Sequence, residues 1–247
     1  MADMIELHVK RQATPDTHAY WEHFAIPYKK GMNVISALME VQRNPVNKAG
    51  QNVAPVVWDQ NCLEEVCGSC TMIVNGKVRQ ACSALIDQLE SPVRLEPMTK
   101  FPTVRDLAVD REKMFKDLKH IKGWVSIDGT HDQGPGPRQS PEEQEAAYIL
   151  QTCMTCGCCL EVCPQYGQDN AFVGAFALSQ VQLFNTHPLG KTDAPDRLHS
   201  VMEEGGVADC GNAQNCVKAC PKEIPLTASI AAIGRATTKQ AFKDILG

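Results

Sequence analysis

Positive charge is not in excess in this 247-residue sequence: 24 Lys and Arg stand against 29 Asp and Glu, a formal net charge of −5. A chain with that balance has no basic footprint for a phosphate backbone or an anionic membrane surface, so nucleic-acid binding is set aside. Long apolar runs are missing as well. The longest nearly uncharged stretch, residues 171–184, is interrupted by Gly174, Ser179, Gln180 and Gln182. It falls short of the roughly 18 apolar residues that a membrane span needs. The first ten residues alternate apolar and polar side chains without a basic patch leading into an apolar core, and are read as a strand rather than a secretory leader. The expected compartment is then the reducing cytosol, where clustered cysteines are metal ligands rather than disulfides. Nucleotide fingerprints are absent: no G-x-G-x-x-G opens a helix after a strand, and no G-x-x-x-x-G-K-[ST] occurs. The 7 histidines do not pair at ligand spacing beside an acid, so no catalytic constellation emerges. What the sequence does have is cysteine. Twelve is too few for a small disulfide scaffold and too many to be incidental, in a composition (43% hydrophobic, 21% charged) that is globular.

Periodicity divides the chain. Ile5, Leu7 and Val9 alternate with polar residues, and residues 20–27 form a second strand-like run after a Thr14-Pro15-Asp16 turn. Val34, Ile35, Leu38, Met39 and Val41 fall at helical spacing, closed by Pro45. Asn75-Gly76 predicts a type I′ hairpin between residues 71–74 and 77–81, and residues 93–95 add a strand. A helix over 109–121 leads into a connector, 123–140, punctuated by Gly134-Pro135-Gly136-Pro137. Ser140-Pro141-Glu142-Glu143 combines an N-cap, a first-turn proline and a capping-box glutamate, so a helix runs to about Thr152. Beyond it no convincing strand is found, and residues 171–184, 195–204, 226–235 and 238–246 read as helices, with Phe172, Phe176, Leu178 and Val181 as core. The expected architecture is α+β: residues 1–110 a sheet domain, 111–140 helix and linker, and 141–247 an all-helical domain with cysteine-rich loops.

The cysteines form three groups. Cys62, Cys67, Cys70 and Cys82 have the C-x4-C-x2-C…C spacing of plant-type ferredoxins, in which four thiolates hold a 2Fe-2S cluster. Gly68 is expected to let that loop approach closely and give N–H bonds to the sulfurs. Four thiolates can also close a zinc site, although zinc usually takes two short paired arms. Cys153, Cys156, Cys159 and Cys163-Pro164 form the bacterial ferredoxin run, whose fourth cysteine ligates the other cluster of a pair. Cys210, Cys216 and Cys220-Pro221 repeat it with Ala213 in place of one ligand. Exchanging the fourth cysteines gives Cys153, Cys156, Cys159 and Cys220 to a 4Fe-4S cluster. Cys163, Cys210 and Cys216 remain, a three-thiolate set suited to 3Fe-4S, with a labile solvent-ligated iron as the alternative. Cys158 is left over and reads as a buried small hydrophobe. Three centres of different type in one chain make a path for electrons between a donor and an acceptor held elsewhere.

The run from Asn61 through Cys62, Cys67, Gly68 and Cys70, the Asn75-Gly76 turn, residues 79–82, Arg94-Leu95-Glu96-Pro97-Met98 and both Cys-Pro runs resemble the iron-sulfur subunit of succinate dehydrogenase. Asn44-Pro45-Val46-Asn47 and Ala208-Asp209-Cys210-Gly211-Asn212 resemble its form in Gram-positive and related bacteria. The resemblance implies a plant-type ferredoxin (β-grasp) domain followed by a bacterial-ferredoxin-like helical domain. It further implies a flavoprotein partner with covalent FAD that oxidises succinate to fumarate. Electrons then reach quinone at a cytochrome b membrane anchor carrying haem b, with this subunit peripheral on the cytoplasmic face of the membrane. Ubiquinone-reducing relatives carry tryptophans after the first Cys-Pro and a histidine after the first cysteine of the second run; here Gly167, Gln168 and Gly211 stand there. Quinone-site residues of that branch therefore do not carry over beyond Pro164, and the resemblance leans to menaquinone. Fumarate reductase shares the cluster layout and is the nearest rival. A zinc-binding interaction module and a free-standing soluble ferredoxin are the others.

Overall fold

The computed structural model describes residues 4–126 and 137–246. Period-two alternation produces β1 (Met4–Arg11), which turns Ile5, Leu7, Val9 and Arg11 inward. It pairs antiparallel with β2 (Tyr20–Pro27) from Met4 opposite Pro27 to Arg11 opposite Tyr20. The helix α1 (Val34–Arg43) opens on a reciprocal cap: Ser36 N–H donates to Asn33 Oδ1 at 2.8 Å, and Asn33 N–H to Ser36 Oγ at 2.9 Å. It buries Val34, Ile35, Ala37, Leu38 and Val41 and stops before Pro45. Asn75 and Gly76, at φ 47° and 77°, supply the positive pair that turns β3 (Thr71–Val74) into β4 (Lys77–Gln80). β5 (Val93–Glu96) lies parallel to β1 and antiparallel to β3, giving a five-stranded mixed sheet in the order β2-β1-β5-β3-β4. Its core holds Leu7, Val9, Phe24, Leu38, Met72 and Leu95, together with the ligand candidates Cys70 and Cys82.

A third hairpin, β6 (Thr103–Arg105) and β7 (Ala108–Val109), lies where the sequence suggested no element, except that its last residue, Val109, was expected to open a helix. Val109 pairs with Thr103, so α2 begins later (Glu112–His120) than the expected 109. Asp106, at φ 49° in the turn and 1% exposed, explains the hairpin. Its carboxylate accepts Arg11 Nε at 2.9 Å, Gln12 N–H at 3.1 Å and Val57 N–H at 3.0 Å. Arg11 also pairs with Glu22 and donates to the carbonyls of Ala54 and Pro55 at 3.0 and 3.3 Å. Burying this guanidinium is tolerable only because two carboxylates and two carbonyls surround it. Arg11→Ala leaves Glu22 and Asp106 buried without their cation, and is expected to cost about 3–5 kcal/mol in denaturant unfolding.

The chain divides into two compact units, Met1–Arg111 with Met154–Glu161, and Glu112–Cys153 with Val162–Gly247. The second is helical among its described residues. α3 (Pro141–Gln151) starts at the expected Ser140 cap, where Glu143 N–H donates to Ser140 Oγ at 3.2 Å. The expected connector at 123–140 falls in large part on residues 127–136, and the expected strand start on 1–3, both outside the described residues. The short α4 (Cys158–Glu161) lies in the segment that groups with the sheet unit although the sequence suggested the helical domain. Glu161 ties it there, its carboxylate accepting Thr99 N–H at 2.9 Å, Thr99 Oγ1 at 2.6 Å and Lys100 N–H at 3.0 Å.

In the second unit, α5 (Gly174–Thr186) starts three residues later than the apolar pattern suggested. Val173 N–H is taken by Gly205 O at 3.0 Å, holding the preceding residues out of the helix. α6 (Ala194–Ser200) carries Arg197, wholly buried, whose guanidinium donates to the carbonyls of Lys122, Trp124 and Gly190 at 3.1, 2.6 and 2.7 Å. The five-residue α7 (Asn215–Ala219) precedes α8 (Leu226–Leu246), one continuous helix where the sequence suggested two. Among the described residues no helix is long and apolar enough to cross a membrane.

Candidate metal centres

The loop between α1 and β3 carries three of the first four cysteines, and its backbone is shaped around their sulfurs. Leu63 and Glu65 take φ values of 63° and 58°, conformations that side chains rarely adopt, and Gly68 takes 70°. Alternating hand turns successive peptide N–H groups toward one point, the nest geometry that receives anions and iron-sulfur clusters. Here six N–H groups donate to thiol sulfurs. Glu64, Val66 and Cys67 reach Cys62 Sγ at 3.5, 3.3 and 3.3 Å. Cys62 and Ser69 reach Cys67 Sγ at 3.5 Å each, and Glu65 reaches Cys82 Sγ at 3.3 Å. Burial works against a Cys67 thiolate, but the donors of Ser69 and Cys62 outweigh it and pull the thiol down to about 6. Cys70 is pushed up to about 12 by burial, with Cys82 beside it adding to the rise. A buried thiol of that kind gives up its proton when a metal coordinates it. Gly68 serves differently from the sequence expectation: the N–H donors come from its neighbours, and its missing side chain makes room for Cys156. A Cβ at Gly68 would stand 2.7 Å from both Cys156 Cα and Cβ.

The two Cys-Pro runs repeat each other in backbone as well as in spacing. Thr155 and Gly157, at φ 52° and 85°, flank Cys156; Asn212 and Gln214, at φ 51° and 60°, flank Ala213. α4 begins one residue before Cys159 and α7 one residue before Cys216. Ala213 therefore sits between a pair of left-handed residues as Cys156 does, without a thiol. Cys163, Cys210 and Cys216 line a single cavity with Ala213, walled by Phe172 of the preceding loop and Ile230 of α8. Burial raises the Cys216 thiol, with Cys163 and Cys210 adding to it. The loop bearing Cys163 is pinned by Tyr166, which is 1% exposed, lies under the Lys113 ammonium at 4.6 Å, and donates to Asp117 at 3.4 Å. Cys153 follows α3, with its N–H on Leu150 O at 3.3 Å, and Cys220 caps α7. None of the twelve cysteines forms a disulfide. Among the described residues no three Cys, His, Asp or Glu side chains converge as ligands of one metal ion; an iron-sulfur cluster instead spreads its thiolates over several irons.

Three residues near these loops carry no sequence signal. Cys158 is buried as expected, at 1% exposure, but is not inert. Its hydrogen bond to Cys156 and its burial keep it protonated, and Cys156 in turn is lowered to about 7, by Cys158 first and by Arg111 to a lesser degree. Gln80 Nε2 donates to Cys158 Sγ at 3.3 Å and to Thr71 Oγ1 at 3.1 Å. Arg111 donates to three carbonyls of the cysteine loops. Arg111, distant from either motif in sequence, announces nothing, and Gln80, although beside Cys82, gives no sign of its contact with Cys158.

Residues 6–116 match the family model described as a 2Fe-2S iron-sulfur cluster binding domain, and residues 149–224 one described as a 4Fe-4S dicluster domain. A chain of the solved Mycobacterium smegmatis Sdh1 complex in the apo form has the same fold, with a TM-score of 0.78 at 21% identity over 98% of both chains. The fumarate reductase iron-sulfur subunit of Mycobacterium tuberculosis is 32% identical over 191 residues, covering 75% of this chain and 76% of that one. The succinate dehydrogenase iron-sulfur subunit of Bacillus subtilis is 57% identical over 239 residues, covering 97% of this chain and 94% of that one. With more than half its residues identical across nearly the full length of both proteins, this chain belongs to the family of succinate dehydrogenase iron-sulfur subunits.

Proposed function

We propose that this chain is the electron-transfer subunit of a succinate:quinone oxidoreductase and holds three centres. Cys62, Cys67, Cys70 and Cys82 hold the 2Fe-2S cluster; Cys153, Cys156, Cys159 and Cys220 hold the 4Fe-4S cluster; Cys163, Cys210 and Cys216 hold the 3Fe-4S cluster. The observation that carries this reading is the second Cys-Pro run, which keeps the ligand-loop backbone around Ala213 and gathers three thiols on one cavity. When bound, the clusters take and give single electrons. The protein's part is to aim N–H donors at the sulfurs and to set charge and solvent access, which tune the potentials.

Electrons enter from a flavoprotein subunit with covalent FAD that oxidises succinate, and leave to menaquinone at a cytochrome b anchor carrying haem b, on the cytoplasmic face of the membrane. Exposed apolar side chains suit both partners. Leu63 and Val66 stand out from the first cysteine loop, and Phe242, Ile245 and Leu246 from the end of α8. The greater identity to the succinate dehydrogenase relative, 57% against 32%, favours succinate oxidation over fumarate reduction as the working direction.

Purified with its partners, the complex is expected to be brown, to contain iron and acid-labile sulfide, and to oxidise succinate faster than its quinol reduces fumarate. A colourless zinc protein contradicts the cluster assignment. A complex with clusters that runs faster toward succinate contradicts the direction alone.

A further inference from the structure

Arg111 lies where the first and second cysteine loops meet within the sheet unit, far from either motif in sequence. Its Nη2 donates to Ser69 O at 2.9 Å; its Nη1 donates to Gly68 O at 2.9 Å and more weakly to Cys156 O at 3.5 Å. Gly68 and Ser69 lie between the ligand candidates Cys67 and Cys70, and Cys156 is a ligand candidate of the next centre. The peptide joining Gly68 to Ser69 has its C=O on the guanidinium and its N–H on Cys67 Sγ at 3.5 Å. In a trans peptide the two groups point in opposite directions, so a cation on the oxygen polarises the N–H toward the sulfur. The loops touch at this point, Gly68 leaving no room for a Cβ against Cys156. Burial disfavours the charge on Arg111, and Asp59, Cys156, Cys158 and Cys70 are the groups that favour it. A cation placed there at a desolvation cost hydrogen-bonds to carbonyls of both cysteine loops rather than to a carboxylate.

We propose that Arg111 is a positioning residue shared by two centres: it clamps the contact between the cysteine loops, and its charge raises the reduction potentials of both the 2Fe-2S and the 4Fe-4S cluster. The inference rests on the reading that these loops hold clusters. A reduced centre carries one more negative charge than its oxidised form, so a fixed neighbouring cation stabilises the reduced form, and two centres raised together remain ready to accept electrons in series.

The test is an EPR-monitored redox titration of the assembled complex carrying Arg111→Gln or Arg111→Lys. The centre held by Cys163, Cys210 and Cys216 serves as the reference, since the hydrogen bonds of Arg111 go to Gly68, Ser69 and Cys156. Arg111→Gln is expected to move both midpoints to more negative values and leave the reference in place, while Arg111→Lys, which keeps the charge, holds both close to wild type. Unmoved midpoints in the Gln variant overturn the proposal, as does a shift of one centre alone or a Lys variant that falls as far as Gln. If the Gln variant fails to retain its clusters, the Lys variant decides: midpoints at wild-type values support the charge assignment and lowered ones overturn it. Wild-type complex without iron and sulfide is a separate result, and refutes the cluster reading rather than the role of Arg111.

Discussion

Ala213→Cys is expected to convert the proposed three-iron centre into a four-iron one. Ala213 lies on the cavity lined by Cys163, Cys210 and Cys216, between two left-handed residues, as Cys156 does in the first run. A sulfur at this position completes the register of the bacterial ferredoxin run. The EPR signal of the oxidised 3Fe-4S centre should disappear, and a new signal should appear only on reduction. The added thiolate brings negative charge, so the potential should fall, and every ~59 mV of fall makes reduction of a one-electron centre tenfold less favourable. Succinate-dependent quinone reduction should drop accordingly, while succinate oxidation with an artificial acceptor that takes electrons from the flavin is maintained. Persistence of an unaltered three-iron signal would show that position 213 does not face the cluster.

Gly68→Ala is expected to be among the most damaging single methyl additions in the sheet unit. The new Cβ would stand 2.7 Å from Cys156 Cα and 2.9 Å from Met154 O, both backbone atoms, and the residue keeps a φ of 70°. The left-handed conformation costs about 1–2 kcal/mol, and overpacking against backbone about 1–3 kcal/mol more. Gly76→Ala is the control, since its φ is 77° but nothing lies within 4 Å of the added carbon. It should lose only the conformational part, about 1–2 kcal/mol. Thermal unfolding and iron content of the two complexes measure the difference: Gly68→Ala should melt well below Gly76→Ala and lose iron. Equal melting would mean that the close approach of the loops is not needed.

Both hairpins of the main sheet and the capped helices were legible because their signals are local: alternation, Asn75-Gly76, Asn33 and Ser140. The β6/β7 hairpin was not. Its turn uses Asp106, whose left-handed conformation is held by Arg11, nearly a hundred residues earlier in sequence. Gly234 and the pair Thr237-Thr238 interrupt the apolar pattern of α8, which therefore reads as two helices. In the structure both threonine hydroxyls donate to Gly234 O at 2.9 Å and the helix continues through them. At the proposed metal centres, cysteine spacing points to the candidate ligands, since coordination demands that residue type. The donors that shape the first loop are peptide N–H groups of Cys62, Glu64, Glu65, Val66, Cys67 and Ser69, and a peptide group has no residue code. Arg111 and Gln80 act through tertiary contacts alone, and Cys158 reads as a small hydrophobe until Gln80 and Cys156 are seen on its sulfur.

EPR spectroscopy of the assembled complex, as isolated in air and after graded reduction, tests the three-centre assignment most directly. A 3Fe-4S signal is predicted in the oxidised sample, followed on reduction by separate 2Fe-2S and 4Fe-4S signals. An oxidised sample with iron and sulfide but no three-iron signal would contradict the assignment of Cys163, Cys210 and Cys216, and with it the meaning given to Ala213.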